Sequence, residues 1–139
     1  MATNLRPKLS ENNKYWINKH RYYELKHFCL QYPLWKRAYY AIDDAIIPPA
    51  NLFRLPTSNI QEDITSKYAL MKVSYSEKMK MIENAAYEAD KELCSYILKA
   101  VTEELSYNYL KTKLNIPCCK DTYYDRYRKF FYILSRLRD

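Results

Sequence analysis

Residues 106–134 read SYNYLKTKLNIPCCKDTYYDRYRKFFYIL. Ser106 is a good N-cap, because a serine hydroxyl accepts from an orphan N–H of the first turn that follows it. A short helix is predicted from Tyr107 to Leu114. Asn115-Ile116-Pro117-Cys118 reads as a turn, and a final helix is predicted from Cys119 to Arg138. On that helix Tyr123, Tyr127, Phe130, Leu134 and Leu137 recur at helical spacing and share one face. Such a turn requires one residue in the left-handed backbone region. The chain contains no glycine. Asn115 is therefore the expected substitute, since asparagine tolerates that region best after glycine.

Immediately upstream, Asp90 is placed to N-cap a helix over 91–104, with Leu93, Ile97, Leu98 and Val101 inward. A scaffold helix, a short helix, a tight turn and a longer helix follow in order, which is the layout of a helix-turn-helix. Leu93, Ile97, Val101, Tyr109 or Leu110, Leu114, Ile116, Tyr123, Tyr127, Phe130 and Leu134 are the candidate core of this unit, residues 91–139.

Further out, Ile64, Tyr68, Met71, Tyr75, Met79, Ile82 and Ala86 recur every three or four residues and predict a long central helix over 60–90. A kink near Ser74–Ser76 is left open. Residues 48–59, PPANLFRLPTSN, hold three of the six prolines. Leu52, Phe53 and Leu55 make this segment a docked loop rather than a free tether. Residues 1–47 form a basic N-terminal helical arm. After a polar stretch through residue 12, one helix is expected over 13–32 and a second over 34–46, separated by Pro33. In the first, Tyr15, Tyr22, Leu25, Cys29 and Tyr32 share a face, and Trp16, Tyr23 and Leu30 make a second stripe. No segment alternates with period two. The fold class is all-α: N-terminal helices and a long central helix followed by a C-terminal three-helix helix-turn-helix.

Composition excludes several functions. Roughly ten glycines are expected in 139 residues of average usage, and none is present. Phosphate cradles of the P-loop or dinucleotide type and the nucleophile elbow are thereby excluded. Adjacent carboxylates such as Asp43-Asp44, Glu62-Asp63 and Glu103-Glu104 point about 100° apart on a helix and do not form a shared acid–base site. His20, His27, Cys29 and Cys94 match no metal-ligand spacing. The reading is that of a non-enzyme without metal or cofactor. No apolar run is long enough for a membrane span. The cysteines, Cys29, Cys94, Cys118 and Cys119, form no C-x-x-C, as in a reduced cytoplasmic protein. Net charge is +7. It divides into +6 over residues 1–40, −4 over 41–105 and +5 over 106–139, so both ends are basic. An anionic partner follows, most often nucleic acid.

The stretch Ser106 to Leu134 resembles the end of ArpU-like and RinA-like phage transcriptional regulators and is similar to region four of sigma factors. The shared pattern is a short helix closed by Leu114, then Asn-Ile, a turn, Thr-Tyr-Tyr and a basic helix ending in apolar residues. Pro117 and the Cys118-Cys119 pair depart from the Ser or Thr usual in that turn. The resemblance implies sequence-specific binding of double-stranded DNA that regulates phage or prophage genes in a bacterial host cell, with helix 119–137 in the major groove. Lys120, Thr122, Tyr124 and Arg126 or Arg128 are the expected base-proximal residues. Lys111, Lys113, Lys129 and Arg136 are the expected phosphate contacts. Asp121 and Asp125 oppose phosphate and are expected to pair with Arg128 and Lys129. Tyr124 and Tyr132 are left for a partner. The N-terminal helices are expected to form a homodimer or to contact host RNA polymerase. The alternative is a phage-encoded interaction module that inhibits a host nucleic-acid-directed defence complex, of anti-CRISPR type, with exposed tyrosines as anchors.

Overall fold

The computed structural model describes residues 12–46 and 58–139. The docked-loop segment therefore lies outside the described residues, apart from Ser58 and Asn59. The described residues form six helices and no strand: α1 (Lys19–Leu30), α2 (Tyr32–Ile46), α3 (Ser58–Ala89), α4 (Cys94–Glu103), α5 (Tyr107–Lys113) and α6 (Lys120–Arg138). The all-α class is as expected.

The N-terminal boundary differs from the expected helix over 13–32. Asn13 Oδ1 accepts from the Tyr15 N–H at 2.8 Å, and the Trp16 N–H reaches the Asn13 carbonyl at 3.0 Å. Asn18 Oδ1 then accepts from the His20 N–H at 2.8 Å and caps α1. Two asparagine side chains compete for backbone donors and delay the helix to Lys19. The break before α2 falls at Gln31, and Pro33 sits in the first turn of α2, where its missing N–H costs nothing.

At 1.5 Å per residue, the 32 residues of α3 span about 48 Å, unbroken through Ser74–Ser76. Its C-terminal half carries Ile82, Ala85, Ala86 and Ala89 into the core, and α2, α4 and α6 pack against the helix. Its N-terminal half is more open, with Leu70 71 % exposed. Asp90 Oδ1 accepts from the Glu92 and Leu93 N–H groups at 2.9 and 3.0 Å. It caps the single turn that leads into α4, so that regular helix starts only at Cys94.

Two non-glycine residues adopt positive φ, Asn115 at 54° as expected and Glu104 at 58°. Glu104 ends α4. The Leu105 N–H returns to the Ala100 carbonyl at 3.1 Å, and Lys26 of α1 holds the Glu104 carboxylate at 3.4 Å. Asn115 ends α5. The Leu110 carbonyl accepts from the N–H groups of Leu114 and Ile116 at 3.2 and 3.0 Å, and Ile116 is driven into the core. The Tyr107 hydroxyl donates to the Cys118 carbonyl at 2.7 Å and closes the connection to α6.

The helix α6 is buried along more of its circumference than one stripe. Tyr123, Phe130, Phe131 and Leu134 are all buried; Leu137, placed on the same face from sequence, is exposed. Phe131 turns the stripe toward α1, where it meets Tyr22 edge-on at 5.0 Å. The Tyr22 and Tyr127 hydroxyls lie 2.7 Å apart. Arg21 fastens the far end: its guanidinium donates to Ser135 Oγ at 3.1 Å, to the Ser135 carbonyl at 2.9 Å and to Asp139 at 2.6 Å. Arg138 lies over the Phe28 ring at 4.1 Å. The segments read from sequence as arm, central helix and C-terminal unit therefore share one core.

Two outcomes test this packing. Asn115→Gly should match or slightly exceed the parent in thermal melts, whereas Asn115→Val should lose about 1–2 kcal/mol, because a β-branched side chain is strained at positive φ. Burial pushes the Cys29 thiol and the Tyr123 and Tyr127 phenols well up, the last aided by Tyr22. The unfolded chain releases those protons from about pH 8.5 to 10 while the folded chain retains them. Stability from these groups is thus complete below that range and declines progressively as pH rises from it toward the raised folded-state values. Urea midpoints should fall between pH 8 and 10.5; a midpoint that holds to pH 10.5 contradicts the burial.

Candidate nucleic-acid interface

The corner where α5 meets α6 is built from short-range chemistry. Tyr107, Leu110 and Leu114 turn inward, Leu110 fully buried and Leu114 half-buried against the core. Helical spacing leaves Asn108, Tyr109, Thr112 and Lys113 outward, and all four are exposed, as is Lys111. Tyr109 is 45 % exposed, so of the two core candidates Leu110 is the one used. No Asp or Glu occurs from Leu105 to Lys120, while Lys111, Lys113 and Lys120 all lie there. Cys119 caps α6 with extended backbone, and Lys120, Asp121 and Thr122 are exposed on its first turn. Positive partial charge from unpaired backbone N–H groups adds to the lysines at that end.

The corner also holds two thiols with opposite tendencies. Cys119 Sγ lies 3.2 Å from Thr122 Oγ1, and hydrogen bonds from the Thr122 side chain and backbone hold its pKa below the usual thiol value. Burial pushes the Cys118 thiol up, with the neighbouring Cys119 adding to the effect.

Beyond the first turn the expected contact residues part company. Tyr124 is half-buried and lies with Lys26, Glu104, Tyr107 and Phe131 around a space of about 30 Å³, room for about one water. It faces α1 and α4. Arg126 faces the other way. Its Nε is 3.2 Å from Asp90 Oδ2, a charge pair without an aligned hydrogen bond, and its Nη1 donates to Asp125 Oδ2 at 3.1 Å. Asp125 thus engages its neighbour Arg126, where helical spacing pointed to Arg128 and Lys129. Lys129 and Arg126 line an open cleft of about 460 Å³ with Tyr87, Asp90 and Lys91. Arg128 is half-buried, its Nε enclosed without a hydrogen bond.

Arg136 lies about 24 Å along the helix from Lys120, sixteen residues at 1.5 Å each. Its guanidinium sits 5.7 Å over the Tyr132 ring and bonds the Tyr132 hydroxyl at 3.4 Å. Tyr15 packs on the same ring at 5.7 Å. Tyr132, left for a partner in the sequence reading, is thus engaged from both sides within the chain.

Lys111, Lys113, Lys120 and Thr122 are all exposed on α5 and the first turn of α6, whereas Tyr124 packs toward α1 and α4, Arg126 and Lys129 line one cleft, Arg128 is half-buried and Arg136 lies against Tyr132. Sequence reasoning missed outward Tyr109. The signal was available, because Tyr107, Leu110 and Leu114 already complete the inward stripe. It also missed Asp90 as partner of Arg126, for which a separation of 36 residues carries no local signal. Among the described residues no three His, Cys, Asp or Glu side chains gather as a metal site, and no helix is long and apolar enough to cross a membrane. No family model matches the chain, and comparisons with curated proteins and with solved structures found no match.

The thiols supply a direct test of this geometry. Under native conditions at neutral pH, iodoacetamide should modify Cys119 first and buried Cys29 last, because thiolate fraction and exposure set the rate. Peptide mass mapping over a time course reads the order. Cys29 modified together with Cys119 would contradict the packing of α1 against α6.

Proposed function

We propose that the chain is a duplex-DNA-binding regulator of the phage or prophage type that its C-terminal stretch resembles. The observation that carries the reading is the exposed set Lys111, Lys113, Lys120 and Thr122 on α5 and the first turn of α6, where Asp121 is the one carboxylate. In this reading α4, α5 and α6 act as a helix-turn-helix. The short helix α5 lies along the sugar-phosphate backbone, and α6 enters the major groove by its N-terminal end. Lys120 and Thr122 read base edges, and Lys111 and Lys113 neutralise phosphates.

Packing of α6 against α1 and α3 restricts groove entry to its first turns. Arg126 then serves the fold through Asp90, and Tyr124 belongs to the seam with α1 and α4. Lys129 and Arg128 flank the groove as phosphate contacts, and Arg136 lies outside a single groove crossing. A homodimer presents two such corners to a two-fold symmetric site. The place of action is the cytoplasm of a bacterial host. A second reading, the interaction module against a host defence complex, draws on Leu34, Tyr40, Leu70 and Val73, exposed apolar side chains on α2 and α3 away from this corner. In that reading host RNA polymerase and DNA are not the partners, and a host protein is retained in a pull-down after nuclease treatment.

Selection from random duplexes separates the readings. The parent chain should enrich one motif. Lys120→Ala combined with Thr122→Ala should weaken binding to it at least tenfold. Arg126→Ala should keep the motif and lower the melting temperature instead. No enriched motif from the parent chain defeats the DNA reading and favours the interaction module.

A further inference from the structure

The outward face of α5 carries a tyrosine that neither the core nor any capping bond uses. Tyr109 is 45 % exposed, and Lys113 stands four residues on, one helical turn away on the same face. The Tyr109 backbone N–H is satisfied by Ser106 Oγ at 3.2 Å. The ring therefore sits, partly exposed, on a capped helix. Thr112 donates its hydroxyl to the Asn108 carbonyl at 2.8 Å. That bond engages the Thr112 hydroxyl within the helix and leaves Tyr109 and Lys113, with Asn108 and Lys111, as exposed donors of α5.

We propose that Tyr109 and Lys113 form a two-point clamp on one phosphate of the DNA backbone, the phenol donating a hydrogen bond and the ammonium supplying charge. The inference rests on the duplex-DNA reading and adds to it a residue and a role. Charge complementarity selects the occupant. The α5 surface carries two lysines and no carboxylate; of the acids nearest in sequence, Glu104 is paired with Lys26, and Asp121 belongs to the first turn of α6. A polyanion meets no opposing charge on α5 itself, whereas an apolar protein surface would leave the Tyr109 phenol and the Lys113 ammonium without acceptors. Phosphate oxygens accept from tyrosine, asparagine and lysine alike. A phosphate contact also fits a short helix that lies across the backbone while the following helix enters the groove.

The experiment measures affinity for the selected duplex over a series of salt concentrations, for the parent chain and for Tyr109→Phe, Tyr109→Ala and Lys113→Gln. Tyr109→Phe keeps the ring and removes only the donor. It should weaken binding about tenfold, as much as Tyr109→Ala, with the slope of log K against log salt unchanged. Lys113→Gln should weaken binding and lower that slope by about 0.9, the release of counterions at one phosphate. All three variants should melt with the parent chain, because both side chains are exposed. Tyr109→Phe binding like the parent, with or without loss in Tyr109→Ala, overturns the clamp and leaves duplex binding standing. A parent chain that binds no duplex overturns the DNA reading and the clamp with it.

Discussion

The enclosure of α6 on two flanks is the constraint on which the rest depends. Phe131 and Tyr127 commit one flank to Tyr22 of α1, and Phe130 and Leu134 commit the centre to the shared core. A helix held this way cannot offer its whole length to a partner. Only the first turn and the outermost ridge remain free. The positions of three cations on α6 follow from this. Lys120 is exposed at the open end, Arg126 is drawn into the α3–α4 junction by Asp90, and Arg136 rests on the Tyr132 ring, which Tyr15 also meets. The packing that stabilises the helix also decides which of its charges are available.

The same constraint explains what was legible in the sequence. Period and turn chemistry are local, and the elements that depend on them were readable. Ser106 caps α5, Asn115 takes the left-handed position, and the long spacing pattern of α3 becomes one unbroken helix. Boundaries moved where a side chain competed with the helix, as with Asn13 and Asn18, or where a cap opened a tighter turn, as with Asp90. Glu104 in the left-handed region was not legible, because its position is stabilised by a Lys26 contact from a distant helix. The candidate site was half legible. Its lysines lie on exposed short elements whose facing follows from period alone. Tyr124, Arg126 and Tyr132 lie where tertiary contacts decide, and the sequence pattern held no trace of those partners.

Composition takes on a physical meaning in this light. Without glycine, two of the helix ends among the described residues depend on a side chain that tolerates or compensates an unusual backbone. Asn115 tolerates it and Glu104 is compensated by an ion pair. The tyrosine excess divides by location. Tyr123 packs its ring between Tyr107 and Tyr127, while Tyr22, Tyr107 and Tyr127 combine ring packing with hydroxyl bonds, to one another in the case of Tyr22 and Tyr127 and to the Cys118 carbonyl in the case of Tyr107. A phenylalanine at either position would keep the ring contact and leave a buried acceptor or hydroxyl without its partner.

The open N-terminal half of α3 has a consequence for how the molecule breathes. That half lies outside the core cluster and meets α2, while the alanine-rich half is enclosed by α4 and α6. One continuous helix therefore has a lightly packed half and an enclosed half, which should open at unequal free energy. Amide hydrogens near Leu70 are expected to exchange through a smaller opening than those near Ala86, which lie under the α4 and α6 packing. A single rod of hydrogen bonds thus carries two separate clocks.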